Sequence, residues 1–184
     1  MKILAFAGSN SRHSINKKLV QYALKYIPQH VHTLIDLNDF EMPLYSIDRQ
    51  KEQGLHQLAH DFLKLIETHD AIVCSFAEHN GNYSVAFKNV LDWSSRINVK
   101  VFQNKPMLLM STSPGKGGGA NVMNIAKASF PRFGANIIET FSLPSFNENF
   151  SEETGIKNSE LQNTFLGKIT SWLQELEKLK SINS

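Results

Sequence analysis

Five short apolar runs, each followed by a stretch of helical periodicity, constrain this chain more than any other feature. The runs fall at residues 3–7 (ILAFA), 31–37, 71–76, 106–111 (PMLLMS) and 136–141 (NIIETF). Short apolar segments suit strands buried on both faces, while 31–37 alternates moderately. Helical spacing follows each of them. Ile15, Leu19, Ala23 and Tyr26 share one side of a helix over 15–27 that Pro28 stops. Leu58, Phe62, Leu65 and Ile66 do so over 55–68, with His56, His60, Lys64 and Glu67 facing away. Val85, Ala86, Val90, Leu91 and Trp93 mark the next helix, which ends near Ile97, and further helices are predicted over 120–130 and 159–180. Residues 38–53 form a longer connection, and 142–158 read as a polar surface loop. Strand and helix alternating five times argue for an α/β fold with a parallel sheet covered on both faces. At 184 residues the chain makes one domain, 1–184, with a real core.

Composition narrows the partners. A net charge of +2 and no run of Lys or Arg longer than two residues leave no electrostatic footprint for nucleic acid. The single cysteine, Cys74, excludes an internal disulfide, so a reducing cytoplasm is expected. Its place inside an apolar strand favours a core thiol over a redox partner. No apolar segment approaches the ~18 residues of a membrane span. The apolar part of the amino end is shorter than the ~7 residues of a signal-peptide core, and is read as the first strand.

Three loops follow strands one, three and four and would share one edge of the sheet. In the order 2-1-3-4-5, strands one and three flank the switch point at which a mononucleotide is expected. The first loop, Gly8 to Ser14 with Asn16 behind it, packs hydroxyls and amides at a helix amino terminus, where open N–H groups and the helix dipole favour an anion. It is neither a Walker loop nor a GxGxxG fingerprint. Ser14 is alternatively only a helix cap. The second loop, Glu78 to Tyr83, carries the turn signal Asn80-Gly81, and a planar ligand could lie there with Asn80 and Tyr83 at its edge. The third, Ser113 to Asn121, holds Gly117-Gly118-Gly119, which permits close approach to a ligand or makes a mobile turn; Lys116 is a possible phosphate partner.

Taken together, these residues resemble the NAD(P)H-dependent FMN reductases of flavodoxin-like fold, whose relatives include quinone, azo-dye and chromate reductases. Gly8-Ser9 with Ser14-Ile15-Asn16 is similar to the family's phosphate loop. Glu78-His79-Asn80-Gly81 with Phe87-Lys88-Asn89 and Asp92-Trp93 resembles its most specific signature. Residues 111–119 resemble its glycine stretch after strand four, and Pro43-Leu44-Tyr45 its loop after strand two. The resemblance implies a three-layer sandwich around a five-stranded parallel sheet, with FMN as prosthetic group and NADPH or NADH as co-substrate. It implies cofactor contacts from Ser9, Ser11, Arg12, Ser14, Ile15 and Asn16 around the phosphate. Ala77, Glu78, His79, Asn80 and Gly81 would border the ring on one side, and Ser111, Gly117 and Gly118 on the other. No metal and no side-chain acid or base is required.

The chain departs from the family pattern at several positions. The loop arginine stands at Arg12 where the pattern would place it at Ser11. Ala77 replaces a proline, His79 a tyrosine, and Ser84-Val85 a Pro-Gly pair. The implied acceptor is a small molecule: a quinone, free flavin, azo compound or metal oxyanion. An electron carrier of flavodoxin type that does not oxidise NAD(P)H is the alternative, against which +2 speaks, since such carriers are strongly acidic. A nucleotide-binding regulatory domain is a third reading. Pairing through the helix after the second loop implies a homodimer or homotetramer. Val85, Phe87, Val90, Leu91 and Trp93 look like more apolar surface than one face needs.

Overall fold

In a computed structural model, which describes residues 1–182, the five apolar runs form one parallel sheet. In chain order the elements are β1 (Lys2–Gly8), α1 (Ile15–Leu24), β2 (Val31–Ile35), α2 (Ile47–Gln53), α3 (Gln57–Thr68) and β3 (Ala71–Phe76). A two-strand hairpin follows, β4 (Glu78–His79) and β5 (Asn82–Tyr83), then α4 (Val85–Ile97), β6 (Pro106–Thr112), α5 (Ala120–Ser129) and β7 (Asn136–Leu143). The chain closes with α6 (Phe146–Asn149), the short strands β8 (Phe150–Ser151) and β9 (Gly155–Ile156), and α7 (Ser159–Ile182). The sheet order β2-β1-β3-β6-β7 is the flavodoxin-like order expected from the sequence.

Because side chains alternate along a strand, each core strand feeds two apolar layers. Ile3, Ala5, Val73, Leu108 and Met110 face α1 and α7, meeting Leu19, Ala23, Phe165 and Trp172. Leu4, Phe6, Ile72, Cys74 and Leu109 face the other way, onto Phe62 of α3, Phe87 and Trp93 of α4, and Phe130. Both faces of the central strands are therefore dry, which is why their sequences are continuous apolar runs instead of alternating ones.

Register decides where function can sit. Gly8 of β1 lies opposite Phe76 of β3, and Phe76 opposite Ser111 of β6. The carboxyl ends of the three strands thus stop abreast, and the loops they feed emerge side by side.

The two long connections hold more structure than their composition suggests. Asp36 caps a 3-10 turn over Leu37–Phe40, and Ser46 caps α2 by accepting from Arg49 N at 3.1 Å. No residue of α2 is buried, so the helix leaves no apolar period in the sequence. The predicted loop 142–158 contains α6 and the β8–β9 hairpin, packed through Phe146, Phe150 and Ile156 against the α1–α7 layer.

The apolar side chains of α4 are consumed within the molecule. Phe87, Val90, Leu91 and Trp93 are at most 3% exposed, and only Val85, at 64%, faces outward. The apparent surplus on this helix is its own core. Asn89 and Trp93 also fasten the chain after β2. Asn89 Nδ2 donates to Met42 O at 2.9 Å, Tyr45 N donates to Asn89 Oδ1 at 2.9 Å, and Trp93 Nε1 donates to Pro43 O at 2.8 Å. Asn89 and Trp93 of the second motif are therefore pegs for another loop.

The β2 end is tied to α1 by Lys17 Nζ and Asp36 Oδ2, 2.5 Å apart. Burial alone would raise the Asp36 carboxyl; the Lys17 ammonium and the donors of Asn38 outweigh it and hold the carboxyl below its ordinary value. A depressed carboxylate stabilises the fold above its unfolded pKa of ~3.9, and that contribution is lost as pH falls through the lower folded value. Asp36→Asn keeps the capping oxygen and removes the charge. It should cost about 0.5–1 kcal/mol at pH 7 and nothing at pH values below the folded pKa. Urea unfolding of both proteins across pH 2–7 checks this; a pH-independent difference would sink it.

No helix among the described residues is long and apolar enough to cross a membrane.

Candidate active site

The three loops enclose a cleft of about 240 Å³ at the carboxyl edge of β1, β3 and β6. Its walls are Ser9, Ser11, His13, Ser14, Ile15 and Asn16 from the first loop, Ala77 and Glu78 from the second, and Thr112, Ser113 and Pro114 from the third. Seven of the residues expected from the sequence meet here: Ser9, Ser11, Ser14, Ile15, Asn16, Ala77 and Glu78. The other seven do not line it. Arg12 is exposed at the rim and forms no ion pair among the described residues. His79 and Asn80 are exposed on the hairpin with Gly81 beside them, Gly117 is exposed, and Ser111 and Gly118 are buried beneath the third loop.

The first loop is a sequence of small caps. Ser11 N donates to Ser9 Oγ at 3.2 Å, His13 N to Ser11 Oγ at 3.3 Å, and Lys17 N to Ser14 Oγ at 3.2 Å. Ser14 is thus the helix cap, the plainer of its two readings. The amides of Ile15 and Asn16 open the first turn of α1 and have no acceptor one turn back. No acidic residue lies in that turn. Hydroxyls, open amides and the positive end of the helix dipole make this the anion end of the cleft.

Asn16 has a structural role besides lining the cleft. It is 2% exposed and reaches under the cleft. Its Nδ2 donates to Thr112 O at 3.1 Å, while its Oδ1 accepts from Thr112 N at 3.1 Å and from Ser75 Oγ at 2.6 Å. These bonds make the side chain a strut joining α1, β3 and β6. Thr112 and Ser75, its partners, were not singled out in the sequence. Nothing in a linear reading links residue 16 to residue 112.

The second loop is a hairpin. Asn80 and Gly81 both have positive φ, 51° and 76°, which suits a two-residue turn between β4 and β5. Tyr83 turns into the core. It is 8% exposed, stacks on Phe130 at 5.7 Å, and shares a 2.9 Å hydrogen bond with Ser129 Oγ. Burial pushes its phenol up to about 12. Ser84 caps α4 by accepting from Phe87 N at 3.2 Å and donates to Gly8 O at 2.9 Å, locking the hairpin to the end of β1.

The third loop is pinned from below. Gly118 O accepts from Ser111 Oγ at 2.9 Å and from Ser142 Oγ at 2.8 Å. Gly119 caps α5 without a side chain, and the missing acceptor comes from across the cleft. Asn121 Nδ2 donates to Glu78 Oε1 at 3.1 Å and Val122 N donates to Glu78 Oε2 at 3.0 Å. The one carboxylate in the cleft wall is therefore spent on the protein. Ser14 and Ser84 cap α1 and α4 alike, each accepting from the third amide of its helix, and Glu78 closes α5; α1 is the helix whose first turn lines the cleft, through Ser14, Ile15 and Asn16. The donor set fits a phosphomonoester such as that of FMN.

Fold and cleft together define a flavodoxin-like α/β domain with a cleft at its switch point. The chain also matches the family profile of the NADPH-dependent FMN reductases over residues 1–148, and it belongs to that family. A quinone reductase from Escherichia coli (strain K12) is 29% identical over 122 residues, which is 65% of this chain and 64% of that protein. An NAD(P)H-dependent FMN reductase from Pseudomonas aeruginosa is 30% identical over 121 residues, 65% of this chain and 64% of that protein. The matches thus span less than two thirds of these relatives. Among solved structures, the flavoenzyme NAD(P)H:(acceptor) oxidoreductase FerB from Paracoccus denitrificans superposes with a TM-score of 0.76. It is 22% identical, over 96% of this chain and 97% of that one. Azoreductase AzrA gives 0.62 at 16% identity, over 97% and 98%.

Proposed function

We propose that the chain is an FMN-dependent oxidoreductase that passes hydride from NADPH or NADH, by way of FMN, to a small acceptor such as a quinone. The observation that carries this reading is the cleft itself: three strand ends abreast, with the first turn of α1 and its Ile15 and Asn16 amides in the cleft wall. Bound FMN would supply two-electron hydride chemistry that side chains cannot.

The protein's part is binding and electrostatics. Ser9, Ser11 and the Ile15 and Asn16 amides hold the phosphate, with Arg12 at the rim adding charge. Ala77 and the hairpin backbone at Asn80-Gly81 border the ring, and their N–H groups stabilise negative charge gained on reduction. Glycines 117 and 118 allow the third loop to approach from the other side. His79 is exposed on the hairpin, which supports a role at the open edge of the ring. Exposed Leu44 and Val85, at 63% and 64%, give an apolar patch for pairing with a second copy. A cytoplasmic setting suits the single thiol.

Purified protein titrated with FMN should quench the free-flavin fluorescence, and anaerobic mixing with NADPH should bleach the flavin bands. A protein that binds no FMN would overturn the proposal. Flavin that stays oxidised with both NADPH and NADH would leave an electron carrier. Light scattering on the same sample tests pairing, which a monomer at working concentration would exclude.

A further inference from the structure

Glu78 has a feature that the family reading does not use. It lines the cleft, yet both carboxylate oxygens are bonded to the far wall, one to Asn121 Nδ2 and one to Val122 N. Two consequences follow from elementary physics. First, the hairpin (β4–β5) and the third loop with α5 belong to separate strand–helix units, and this pair of bonds spans the gap between them. Second, α5 begins at Gly119, which has no side chain to cap it. A carboxylate there satisfies one of the orphan amides and places a fixed negative charge against the positive end of the helix dipole.

We infer that Glu78 is a positioning residue that clamps the two ring-side walls of the cleft into one body and holds its carboxylate beside the ring. The inference rests on the FMN reading. The clamp sets the spacing into which a planar ring must slide, so losing it weakens FMN binding without touching the phosphate end. The charge opposes negative charge gained by the ring on reduction, so it favours oxidised over reduced FMN. The two contributions separate chemically. Glu78→Ala removes both. Glu78→Gln keeps an acceptor for Val122 N and an amide that can pair with Asn121, but carries no charge.

The clamp is tested on the protein without FMN. Amide hydrogen exchange at Val122 should quicken about tenfold or more in Glu78→Ala and by less than about threefold in Glu78→Gln. Unchanged exchange at Val122 in Glu78→Ala overturns the clamp. With FMN, Glu78→Ala should bind at least about tenfold more weakly than wild type, since a preformed gap is lost. In Glu78→Gln the affinity ratio of reduced to oxidised FMN should rise about tenfold, read as a midpoint potential about 30 mV more positive. A potential equal to wild type overturns the charge role. Wild-type protein that binds no FMN overturns the proposed function and the flavin half of the inference, while exchange at Val122 still judges the clamp.

Discussion

Replacing Phe76 by alanine is expected to cost about 3–5 kcal/mol, the range for deleting a large buried aromatic side chain. Phe76 closes β3 directly beneath the cleft and is 1% exposed. Its ring is edge-on to four others: Phe6 at 6.1 Å, Tyr83 at 5.8 Å, Phe87 at 4.5 Å and Phe130 at 5.3 Å. Such pairs add to area burial, and no neighbour can fold in to fill the space without breaking another pair. Against a total stability of about 5–15 kcal/mol, the loss is a large fraction. Urea unfolding should show a lower midpoint with an unchanged slope. A ΔΔG below about 1.5 kcal/mol would mean that the ring cluster is not packed as described.

The same ring explains Gly8. A methyl group added at Gly8 would come within 2.2 Å of Phe76 Cδ1, so the strand end is open to glycine only while the ring is there. Gly8→Ala should cost about 1–3 kcal/mol by overpacking. In a Phe76→Ala background most of that cost should vanish, a coupling that a double-mutant cycle measures.

Asn16→Leu is the second large effect. Leucine is close in size but leaves the Thr112 N–H, the Thr112 carbonyl and the Ser75 hydroxyl without their partner, in a region where Ser75 and Thr112 are at most 1% exposed. Each buried polar group stranded in this way costs about 1–3 kcal/mol, and partial re-pairing trims the sum to about 3–5 kcal/mol. For a domain of this size that is a fall in Tm of about 10 °C. Asn16→Asp should also destabilise, because the carboxylate can accept the two bonds to Oδ1 but cannot donate to Thr112 O. FMN binding should weaken in both variants, because α1 and the third loop lose their common strut. A wild-type Tm in Asn16→Leu would refute the strut.

What could be read in advance divides along physical lines. The three central strands were legible because burial on both sheet faces forces continuous apolar runs such as AIVCSF, the half-exposed edge strands β2 and β7 by weaker patterns, and the helices because their faces repeat Leu58, Phe62 and Ile66. The edge carrying the site followed from strand order alone. Local turn chemistry was legible too, as Asn80-Gly81 shows. What was not legible depends on contacts between distant residues. Asn16 and Glu78 look like ligand residues because polar side chains at strand ends usually face solvent or substrate. Only the folded chain shows their bonds to Thr112 and Val122. Tyr83 is hidden in the same way, its polar tip satisfied by Ser129 in a core that adjacent sequence does not foretell. Helix α2 escaped because it buries nothing. The apolar residues of α4 looked like an interface because the depth of the ring cluster around Phe87 was invisible.

Cys74 gives the molecule a built-in clock. It sits fully buried in the central strand, its thiol in weak contact with the Leu108 carbonyl at 3.9 Å, and burial pushes its pKa well above the ordinary thiol value. A thiol reagent cannot reach it until β3 parts from its covering layers. Because there is one sulfhydryl in all 184 residues, every labelling event reports that single opening. Alkylation kinetics on the untagged protein therefore measure how often the sheet beneath the cleft breathes, and how far bound cofactor slows it.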